Sequence, residues 1–414
     1  MRISSVDGHE LSSPIDPPQD RSFQGGHRRL LKRDFVLVVV ETADGLRGFA
    51  PAGASSSAMR EYFEDASHAT FADVIQGQVA DALEGEEVGA ITDAHDRIDD
   101  LGLPQGLQNK AAGAIDVALH DIRGKEHGVP VYDLLLEDES DLRTDLPLYA
   151  SAGMYMEPEG YAEQAAALDE LGFFGYKYRP GIGPEGDRET VTAIAEAVED
   201  IEIMLDAHTW WKLPEPYGRE TVVDVIEHAG EHDAYWVEEP VGPDDYEGYR
   251  DLADRTDVPL AGGESEESPG GLLDLAGTGA VSFLQGDVRH HRGFTGCWSA
   301  IERCAGDDAV QFVPHNFGTW LGLIANAHLV AAAPDCELVE YPVFEDDPAL
   351  DHEVDPGMYP FELAFDIIEG GIDLEDGRLT LPDEPGLGVD VDMDVVEEYP
   401  YIEGPWTEFH YDEE

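Results

Sequence analysis

The pattern of apolar positions changes once along the chain, near residue 145. Before that point, residues 35–42 are largely apolar and are followed by Asp44-Gly45, a dipeptide that favours the tight turn of a β-hairpin. In residues 109–125 the apolar side chains recur every three or four positions, which predicts a helix, and Gly128 and Pro130 end it. The first 140 or so residues are therefore predicted to form an α+β unit.

After residue 145, short β-rich runs alternate with stretches of helical character. The predicted helices include residues 220–230, 296–305 and 319–333. The eight predicted strands are residues 146–151, 173–178, 201–206, 234–239, 259–264, 281–287, 310–315 and 336–341.

Eight strand–helix alternations are typical of a (β/α)₈ barrel. The sequence thus predicts an α/β protein in which residues 1–140 form an N-terminal α+β capping domain and residues 141–371 form the barrel. The tail, from about residue 372 to 414, contains no ninth unit, and we expect it to fold back on the first domain or to wrap the surface.

The net charge of the chain indicates the kind of solvent in which the protein works. There are 90 acidic and 24 basic residues, with a formal net charge of −66, and the acids are spread along the whole chain. Concentrated salt screens such self-repulsion, because the Debye length falls to about 3 Å at 1 M. We therefore expect a salt-adapted protein of the kind found in halophilic archaea. A nucleic-acid partner is not expected, because the sequence has no cluster of basic residues that could bind phosphates.

Other features of composition favour a cytoplasmic location. No run approaches the roughly 20 apolar residues of a membrane span, so no membrane partner is expected. The first ten residues lack the pattern of a secretory signal. The three cysteines, Cys297, Cys304 and Cys336, form neither a disulfide framework nor a metal motif, and are interpreted as buried packing residues.

Polar residues stand at the ends of the predicted strands, where a barrel builds its active site. Three carboxylates on adjacent strands, Asp206, Glu238 and Glu264, suit a hard divalent cation with oxygen ligands. Without a cation they would repel one another. An acidic surface typical of a salt-adapted protein is the alternative, but the register of polar residues across the strands disfavours it. The full set of strand-end residues is Lys177, Arg179, Asp206, His208, Glu238, Glu239, Glu264, Asp287, His315 and Glu340.

The ordered strand ends LDAH, VEEP, GGES, QGD and VPHN resemble the mandelate-racemase branch of the enolase superfamily, and so does the helical segment AIDVALHDIRGKEHGVPVYDLL. The resemblance runs from about residue 35 to 345. It implies one Mg²⁺ per chain held by Asp206, Glu238 and Glu264. It also implies that Asp287 and His315 act as a pair and that Glu340 hydrogen-bonds the substrate. Glu239 is expected behind the metal ligands or beside Lys177.

The sequence departs from that family's pattern at Arg179, where the racemase-type branch has a second lysine that serves as a base. An arginine stays protonated and abstracts a proton poorly. Arg179 and Lys177 are instead expected to steady the substrate carboxylate. Two-base racemisation is thereby disfavoured, and Asp287, in the place of a strand-six lysine, disfavours the chemistry of the cycloisomerase-like branch.

His208 lies two residues beyond Asp206, so it shares a face with it on an extended strand. Some sugar-acid dehydratases of the family have Asp-x-His at this place. His208 would then remove the C2 proton while His315 protonates the departing 3-hydroxyl. The alternatives are that His208 packs against Trp210 or Trp211, or that His315 performs both steps.

The reaction predicted is dehydration of a 2,3-dihydroxy carboxylate to a 2-keto-3-deoxy acid. A racemase or epimerase of a 2-hydroxy acid and a non-catalytic sugar-acid binder are the alternatives. The partner expected is a small-molecule carboxylate, and the resemblance implies a homo-oligomer. Candidates for binding the distal part of the substrate, or for surface ion pairs, are His27, Arg28, Lys212 and His290. The choice between aldonic and aldaric acids stays open at this point.

Overall fold

The computed structural model describes residues 1–53, 70–136, 142–305, 309–333, 335–350 and 358–412. Within these ranges the chain forms an N-terminal capping domain, a (β/α)₈ barrel and a tail that contacts both. The predicted fold, an α/β barrel with an α+β capping domain, is confirmed.

The capping domain contains an antiparallel sheet in which β2 (Gly26–Thr42) pairs on one side with β1 (Ile3–Phe23). On its other side β2 pairs with β3 (Arg47–Ala52) and β14 (Thr407–Tyr411). The predicted hairpin is present, since β2 pairs with β3 around a turn in which Gly45 has φ +87°. The long β1–β2 hairpin was not predicted. Its tight turn at Gln24-Gly25 projects toward the barrel, where the Gln24 amide donates to the Gly181 carbonyl over 2.9 Å.

Helices cover the apolar face of this sheet. The predicted helix is α4 (Gln105–His127), whose apolar side chains are buried. It ends where Gly128 adopts φ +71°, a left-handed conformation that glycine accepts without a steric penalty. The other capping helices are α1 (Phe71–Val74), a π-helical turn (Ile75–Val79), α2 (Ala80–Leu83), α3 (Ile91–Asp99) and α5 (Val131–Leu135).

All eight predicted barrel strands are present and pair in parallel with their neighbours. From one end to the other of this ladder the order is β11, β4, β5, β6, β7, β8, β9, β10. The strands are β4 (Asp145–Met154), β5 (Gly175–Arg179), β6 (Glu202–Asp206), β7 (Trp236–Glu238), β8 (Leu260–Gly262), β9 (Phe283–Leu284), β10 (Gln311–Phe312) and β11 (Val339–Pro342).

Amphipathic helices alternate with the strands and bury their apolar faces. The three helices predicted here, residues 220–230, 296–305 and 319–333, are present with bounds shifted by at most three residues. The barrel helices are α6 (Pro158–Glu170), α7 (Pro184–Ala197), α8 (Thr209–Lys212), α9 (Arg219–Gly230), α10 (Tyr246–Arg255), α11 (Pro269–Ala276), α12 (Gly293–Cys304) and α13 (Trp320–Ala332).

The tail holds α14 (Leu363–Asp366), β12 (Asp373–Glu375), β13 (Arg378–Thr380), α15 (Val395–Glu398) and β14. Strand β13 pairs antiparallel with β4 of the barrel, while β14 pairs antiparallel with β2 of the cap. The tail therefore belongs to both domains, and its last strand lies beside the β1–β2 hairpin.

Two further expectations can be compared with the structure. The three cysteines are buried, as predicted, and none of them forms a disulfide with another described residue. Among the residues that the structure describes, no helix combines the length and the apolar content needed to cross a bilayer.

Candidate active site at the barrel mouth

The parallel register of the strands places the strand-end residues together at the C-terminal end of the barrel. Arg179 ends β5, Asp206 ends β6 and Glu238 ends β7, with Asp206 directly opposite Glu238. Asp206 and Glu238 are 3% and 0% exposed, so their charges depend on partners in the protein and not on water.

Asp206 lies between a guanidinium and an imidazole. Arg179 donates to its Oδ2 from Nη2 over 2.6 Å and from Nε over 3.1 Å, while Nδ1 of His208 lies 2.8 Å from Oδ1. Burial alone would raise the pKa of the Asp206 carboxyl, but Arg179 and His208 hold that pKa well below its usual range. Burial would likewise lower the pKa of Arg179, yet Asp206 keeps it raised, so Arg179 is a permanent cation.

Lys177 is the cation at the centre of the barrel. Its Nζ lies 2.9 Å from Oε1 of Glu238 and 2.8 Å from Oε1 of Glu340. Burial opposes the charge of Lys177, but the two carboxylates outweigh it and raise the lysine pKa well above its usual value. Burial raises the pKa of Glu238 to about 8 despite this contact.

Two positions were expected for Glu239, behind the metal ligands or beside Lys177. The second is not observed, since the carboxylates in contact with Lys177 among the described residues are those of Glu238 and Glu340. Glu239 has φ +44°, which turns the chain at the end of β7 and sends its side chain away from Glu238. Its carboxylate accepts from the Ser265 amide over 2.9 Å and from the Ser265 hydroxyl over 2.6 Å.

His315 bridges two carboxylates across the mouth. Its Nδ1 lies 3.0 Å from Oδ2 of Asp287, and its Nε2 lies 2.7 Å from Oε2 of Glu264. Burial would lower the pKa of His315, but Glu264, Glu340 and Asp287 together raise it well above its usual value. Glu264 also lies 3.4 Å from Nδ1 of His208, so it joins the two histidines.

Several polar neighbours of these residues were not predicted. Gln285 donates to Oε2 of Glu238 over 2.7 Å, and Tyr149 donates to Glu340 over 3.2 Å. Arg289 binds Asp287 through Nε and Nη2. The signal for Gln285 lay in the sequence, because it stands two residues before Asp287 and so shares a face with it on an extended strand.

The candidate distal residues separate into two groups. Arg28 and Lys212 line a cavity of about 480 Å³ above the mouth, which Arg179 and His208 also line. His27 does not line it; on β2 it alternates with Arg28 and stacks on His410 with ring centroids 4.7 Å apart. His290 lies on the side of His315, with Nε2 3.9 Å from Oδ2 of Asp287.

The donor set at the mouth fits a divalent cation. Six carboxylates meet three permanent cations, Lys177, Arg179 and Arg289, which leaves an excess of negative charge in a largely buried site. Carboxylate oxygens are the ligands that Mg²⁺ prefers. In this structure one group, His208, Glu239 and Glu264, has one potential ligand atom per residue within 4.8 Å of one another. The six carboxylates are those of Asp206, Glu238, Glu239, Glu264, Asp287 and Glu340.

Comparison with known families agrees with the two-domain architecture. Residues 160–395 match the family described as "Enolase C-terminal domain-like". Residues 16–135 match the family described as "Mandelate racemase / muconate lactonizing enzyme, N-terminal domain". Together these matches include the cap and nearly all of the barrel.

Two curated relatives illustrate the range of activities among similar proteins. D-galactarolactone cycloisomerase of Agrobacterium fabrum is 27% identical over 408 residues, which cover 96% of this chain and 99% of the relative. D-xylonate dehydratase of Haloferax volcanii is 26% identical over 76% of this chain and 74% of the relative. Other relatives are named L-rhamnonate, arabinonate and D-gluconate dehydratases, and one is named N-succinyl-L-Arg/Lys racemase.

Solved structures support the same assignment. The 3,6-anhydro-D-galactonate cycloisomerase from Zobellia galactanivorans superposes with a TM-score of 0.77 at 26% identity, covering 96% of this chain and 99% of that one. A mandelate racemase/muconate lactonizing enzyme from a marine actinobacterium, in complex with magnesium, gives a TM-score of 0.76 at 25% identity. It covers 97% of this chain and 99% of that one. Members of this group therefore bind Mg²⁺.

Proposed function

The chain belongs to the enolase superfamily, and on that premise we propose that it is a Mg²⁺-dependent sugar-acid dehydratase. The expectation of a superfamily enzyme is confirmed, and several of its relatives are named dehydratases. The observation that carries the proposal is that two histidines, His208 and His315, stand on either side of Glu264 at an acidic barrel mouth.

Asp206, Glu238 and Glu264 are the residues proposed to hold Mg²⁺. They come from three adjacent strands, and in this structure they contact Arg179, Lys177, Gln285 and the two histidines. Glu239 accepts from Ser265 through both of its oxygens and is the alternative ligand, since it forms a group with His208 and Glu264. When bound, Mg²⁺ would stabilise the negative charge that develops on the substrate carboxylate, an effect worth several kcal/mol.

His208 is proposed as the base that removes the C2 proton. Its Nδ1 lies 2.8 Å from Oδ1 of Asp206, and its Nε2 has no partner among the described residues. Because His208 also lines the cavity, Nε2 can meet the substrate. A positioned base of this kind contributes roughly 10²–10⁴ in rate. Of the two roles considered for His208, we thus propose the catalytic one and not packing against Trp210 or Trp211.

His315 is proposed as the acid that protonates the departing 3-hydroxyl. Both of its ring nitrogens face carboxylates, which stabilise the doubly protonated ring. The C2 proton passes to His208, the C3–O bond breaks, and the hydroxyl leaves as water with a proton from His315. The resulting enol tautomerises to the 2-keto-3-deoxy acid.

Racemisation is the less favoured reaction within the family. It needs a second base opposite the first, and Arg179 occupies the position concerned. Its bidentate contact with Asp206 stabilises the protonated guanidinium. Lys177 is likewise held by two buried carboxylates, so neither side chain is a ready proton acceptor in this structure.

Ring-opening elimination is a second candidate. It is favoured by the relative named D-galactarolactone cycloisomerase, which matches 96% of this chain. The chemistry begins with the same α-proton transfer, and a ring oxygen leaves in place of water. The roles proposed for His208 and His315 apply to both reactions.

The test is to incubate the protein in molar KCl with Mg²⁺ and a panel of aldonic acids, aldaric acids and their lactones, assaying 2-keto acid formation. The same panel is run on His208→Asn and His315→Asn. The proposal expects a 2-keto-3-deoxy product from an open-chain acid and its loss in both variants. Product from lactones alone would favour the cycloisomerase.

Two outcomes would overturn the dehydratase proposal. Exchange of the α-proton with D₂O without a keto product would favour a racemase or epimerase. Neither product nor exchange, combined with calorimetric binding of a sugar acid, would favour a non-catalytic binder. The proposed substrate is in every case a small-molecule carboxylate.

We also infer a salt-adapted cytoplasmic enzyme that assembles as a homo-oligomer. The net charge of −66 supports the first part, and the second rests on family likeness. Light scattering in molar KCl should give a mass that is a multiple of 45.2 kDa. A monomer under those conditions would contradict the inference of self-association.

A further inference from the structure

Arg28 is a buried cation without a carboxylate partner. Four basic side chains in the described ranges are buried, and three of them, Lys32, Lys177 and Arg289, have a carboxylate oxygen within 2.9 Å. Arg28, which is 7% exposed, has none within 4.0 Å among the described residues. The lack of a carboxylate partner is unusual in a chain with 90 acidic and 24 basic residues, because burying an unpaired charge costs free energy.

The position of the Arg28 guanidinium is fixed by neutral groups. Its Nε donates to the Thr407 hydroxyl over 3.0 Å, and its Nη1 lies 3.6 Å from Sδ of Met154. The guanidinium carbon lies 4.2 Å from the ring centroid of Trp406 and 5.6 Å from that of Phe409. Nη2 has no hydrogen-bond partner in the described part of the chain.

These contacts orient the cation without neutralising it. Thr407 and the two aromatic rings belong to the tail, so the last strand of the chain holds Arg28 in place. Burial lowers the pKa of Arg28 to about 10, which leaves the guanidinium charged at neutral pH.

The cavity that Arg28 lines has basic side chains and no acidic ones among its described lining residues. Arg28, Arg179 and Lys212 are among the residues around it, and no aspartate or glutamate is among those lining it within the described ranges. In a protein of net charge −66, a cavity wall without acids is a specific feature. Arg179 and His208 place the proposed metal site on the barrel side of the same cavity, while Arg28 and Trp406 form its cap side.

We propose that Arg28, assisted by Lys212, binds the second carboxylate of an aldaric acid whose first carboxylate lies at the metal site. This inference rests on the proposed function and narrows it from sugar acids to dicarboxylic sugar acids. The planar guanidinium matches a carboxylate, and the ligand would supply the counter-charge that the protein omits. An aldonic acid would leave Arg28 unpaired in the complex.

Binding of inert probes tests the subsite without turnover. Adipate has the chain length of a six-carbon aldaric acid but no hydroxyl group to eliminate, and hexanoate lacks only the distal carboxylate. Calorimetry with Mg²⁺ in molar KCl is expected to show adipate binding to the wild type at least tenfold more tightly than hexanoate. In Arg28→Gln most of the difference between the two affinities should be lost, because only Lys212 then remains to meet the distal carboxylate, and Arg28→Lys should keep more of it.

Arg29→Gln is the matched control. Arg29 is the next residue on β2, faces the other side, and has an exposed ion pair with Asp20 over 3.7 Å. It loses the same charge and should retain the preference for adipate. Thermal unfolding of both glutamine variants checks the fold, since removal of an unpaired buried charge is not expected to lower the melting midpoint. No preference in the wild type, or a preference that survives in Arg28→Gln, would overturn the inference.

Kinetics separate this inference from the proposed function. Arg28→Gln should raise KM for galactarate or glucarate at least tenfold, with kcat nearly unchanged, and leave KM for galactonate or gluconate unaffected. If the aldonic acids are dehydrated preferentially and Arg28→Gln has no effect, the proposed dehydratase activity is supported and the proposed Arg28 subsite is contradicted. If no acid is converted but adipate binding depends on Arg28, the subsite is supported and the dehydratase activity is contradicted.

Discussion

The Nε2 atom of His315 lies 2.7 Å from Oε2 of Glu264. This contact joins a proposed acid to a proposed metal ligand, and Asp287 completes the arrangement from the other side of the ring at 3.0 Å. The orientation of His315 is therefore fixed by carboxylates on two different strand ends. Each of these carboxylates can be tested by substitution with the corresponding amide.

Asp287→Asn should lower kcat by about 10²–10⁴, because the ring of His315 loses the carboxylate that orients and charges it. KM for the preferred acid should change much less. Steady-state kinetics on the active substrate measures both. Asp121→Asn is the matched control, since Asp121 is also buried but binds the amides of Phe49 and Leu387, remote from His315. A similar loss of kcat in both variants would point to general damage and contradict the role of Asp287.

Metal binding should depend on Asp206 and not on Glu239. Calorimetric titration with Mg²⁺ is expected to show at least tenfold weaker binding in Asp206→Asn, since one oxygen ligand loses its charge. Glu239→Gln should stay close to the wild type, because Ser265 engages that carboxylate. The reverse result would instead support the group of His208, Glu239 and Glu264.

Lys177→Met should destabilise the protein strongly. It leaves the buried carboxylates of Glu238 and Glu340 without their shared cation, a loss of about 3–5 kcal/mol in the free energy of unfolding. Denaturant unfolding in molar KCl measures the change. Arg255→Met is the control, since its ion pair with Glu220 is exposed and its removal should hardly move the midpoint. Equal effects of the two substitutions would argue against the central role of Lys177.

The part of this site that could be predicted from the sequence is the part that follows from the alternation of strands and helices. The eight strands were recognised because each is a short apolar run between helical stretches, and strand ends locate polar residues without any knowledge of side-chain contacts. The pair of Asp287 and His315 was implied by the family resemblance, whereas the contact of Arg179 with Asp206 was not predicted.

Other features depend on contacts between residues distant in sequence. The pairing of β14 with β2 has no local signal, so the role of Trp406 around Arg28 could not be anticipated. The first 23 residues form a strand with interrupted alternation, and the β1–β2 hairpin was missed. The two positions considered for Glu239 could not be separated from the sequence, because the φ of +44° at this residue cannot be inferred from two successive glutamates.

The stability of the protein should fall in mild acid through His328. The Nδ1 of this residue accepts from the Tyr132 amide, and its Nε2 donates to the Leu387 carbonyl, each over 3.2 Å, so the neutral ring is required. Burial lowers the pKa of His328 to about 4, against 6.5 in the unfolded chain. Between these pH values the unfolded state binds more protons, so stability declines as the pH falls from 6.5 toward 4, by up to about 3 kcal/mol.

The free energy of unfolding, measured at pH 7.5, 6.0 and 5.0 in constant KCl, tests this expectation. In His328→Gln the decline over this range should be smaller than in the wild type, even if the variant is less stable at pH 7.5. His127→Gln, in the exposed last turn of α4, should retain the wild-type slope. An unchanged slope in His328→Gln would assign the decline to other groups.

Thermal stability should rise between 0.1 and 2 M KCl. The 90 acidic and 24 basic residues repel one another on balance, and salt shortens the range of that repulsion. Differential scanning calorimetry measures the midpoint. Sucrose, which stabilises by exclusion from the surface and screens no charge, serves as the control. A midpoint that is insensitive to KCl would remove the support for salt adaptation.

The pairing of β14 with β2 also has a consequence for biosynthesis. Residues 407–411 leave the ribosome after the barrel and the other strands of the cap, yet their strand supports the residues around Arg28. A nascent chain can thus assemble its proposed metal ligands before the cavity around Arg28 is finished. Under the proposal for Arg28, selectivity for the substrate is therefore acquired only when β14 joins the sheet, and a fusion placed directly after residue 411 would lie beside Tyr411, which lines that cavity.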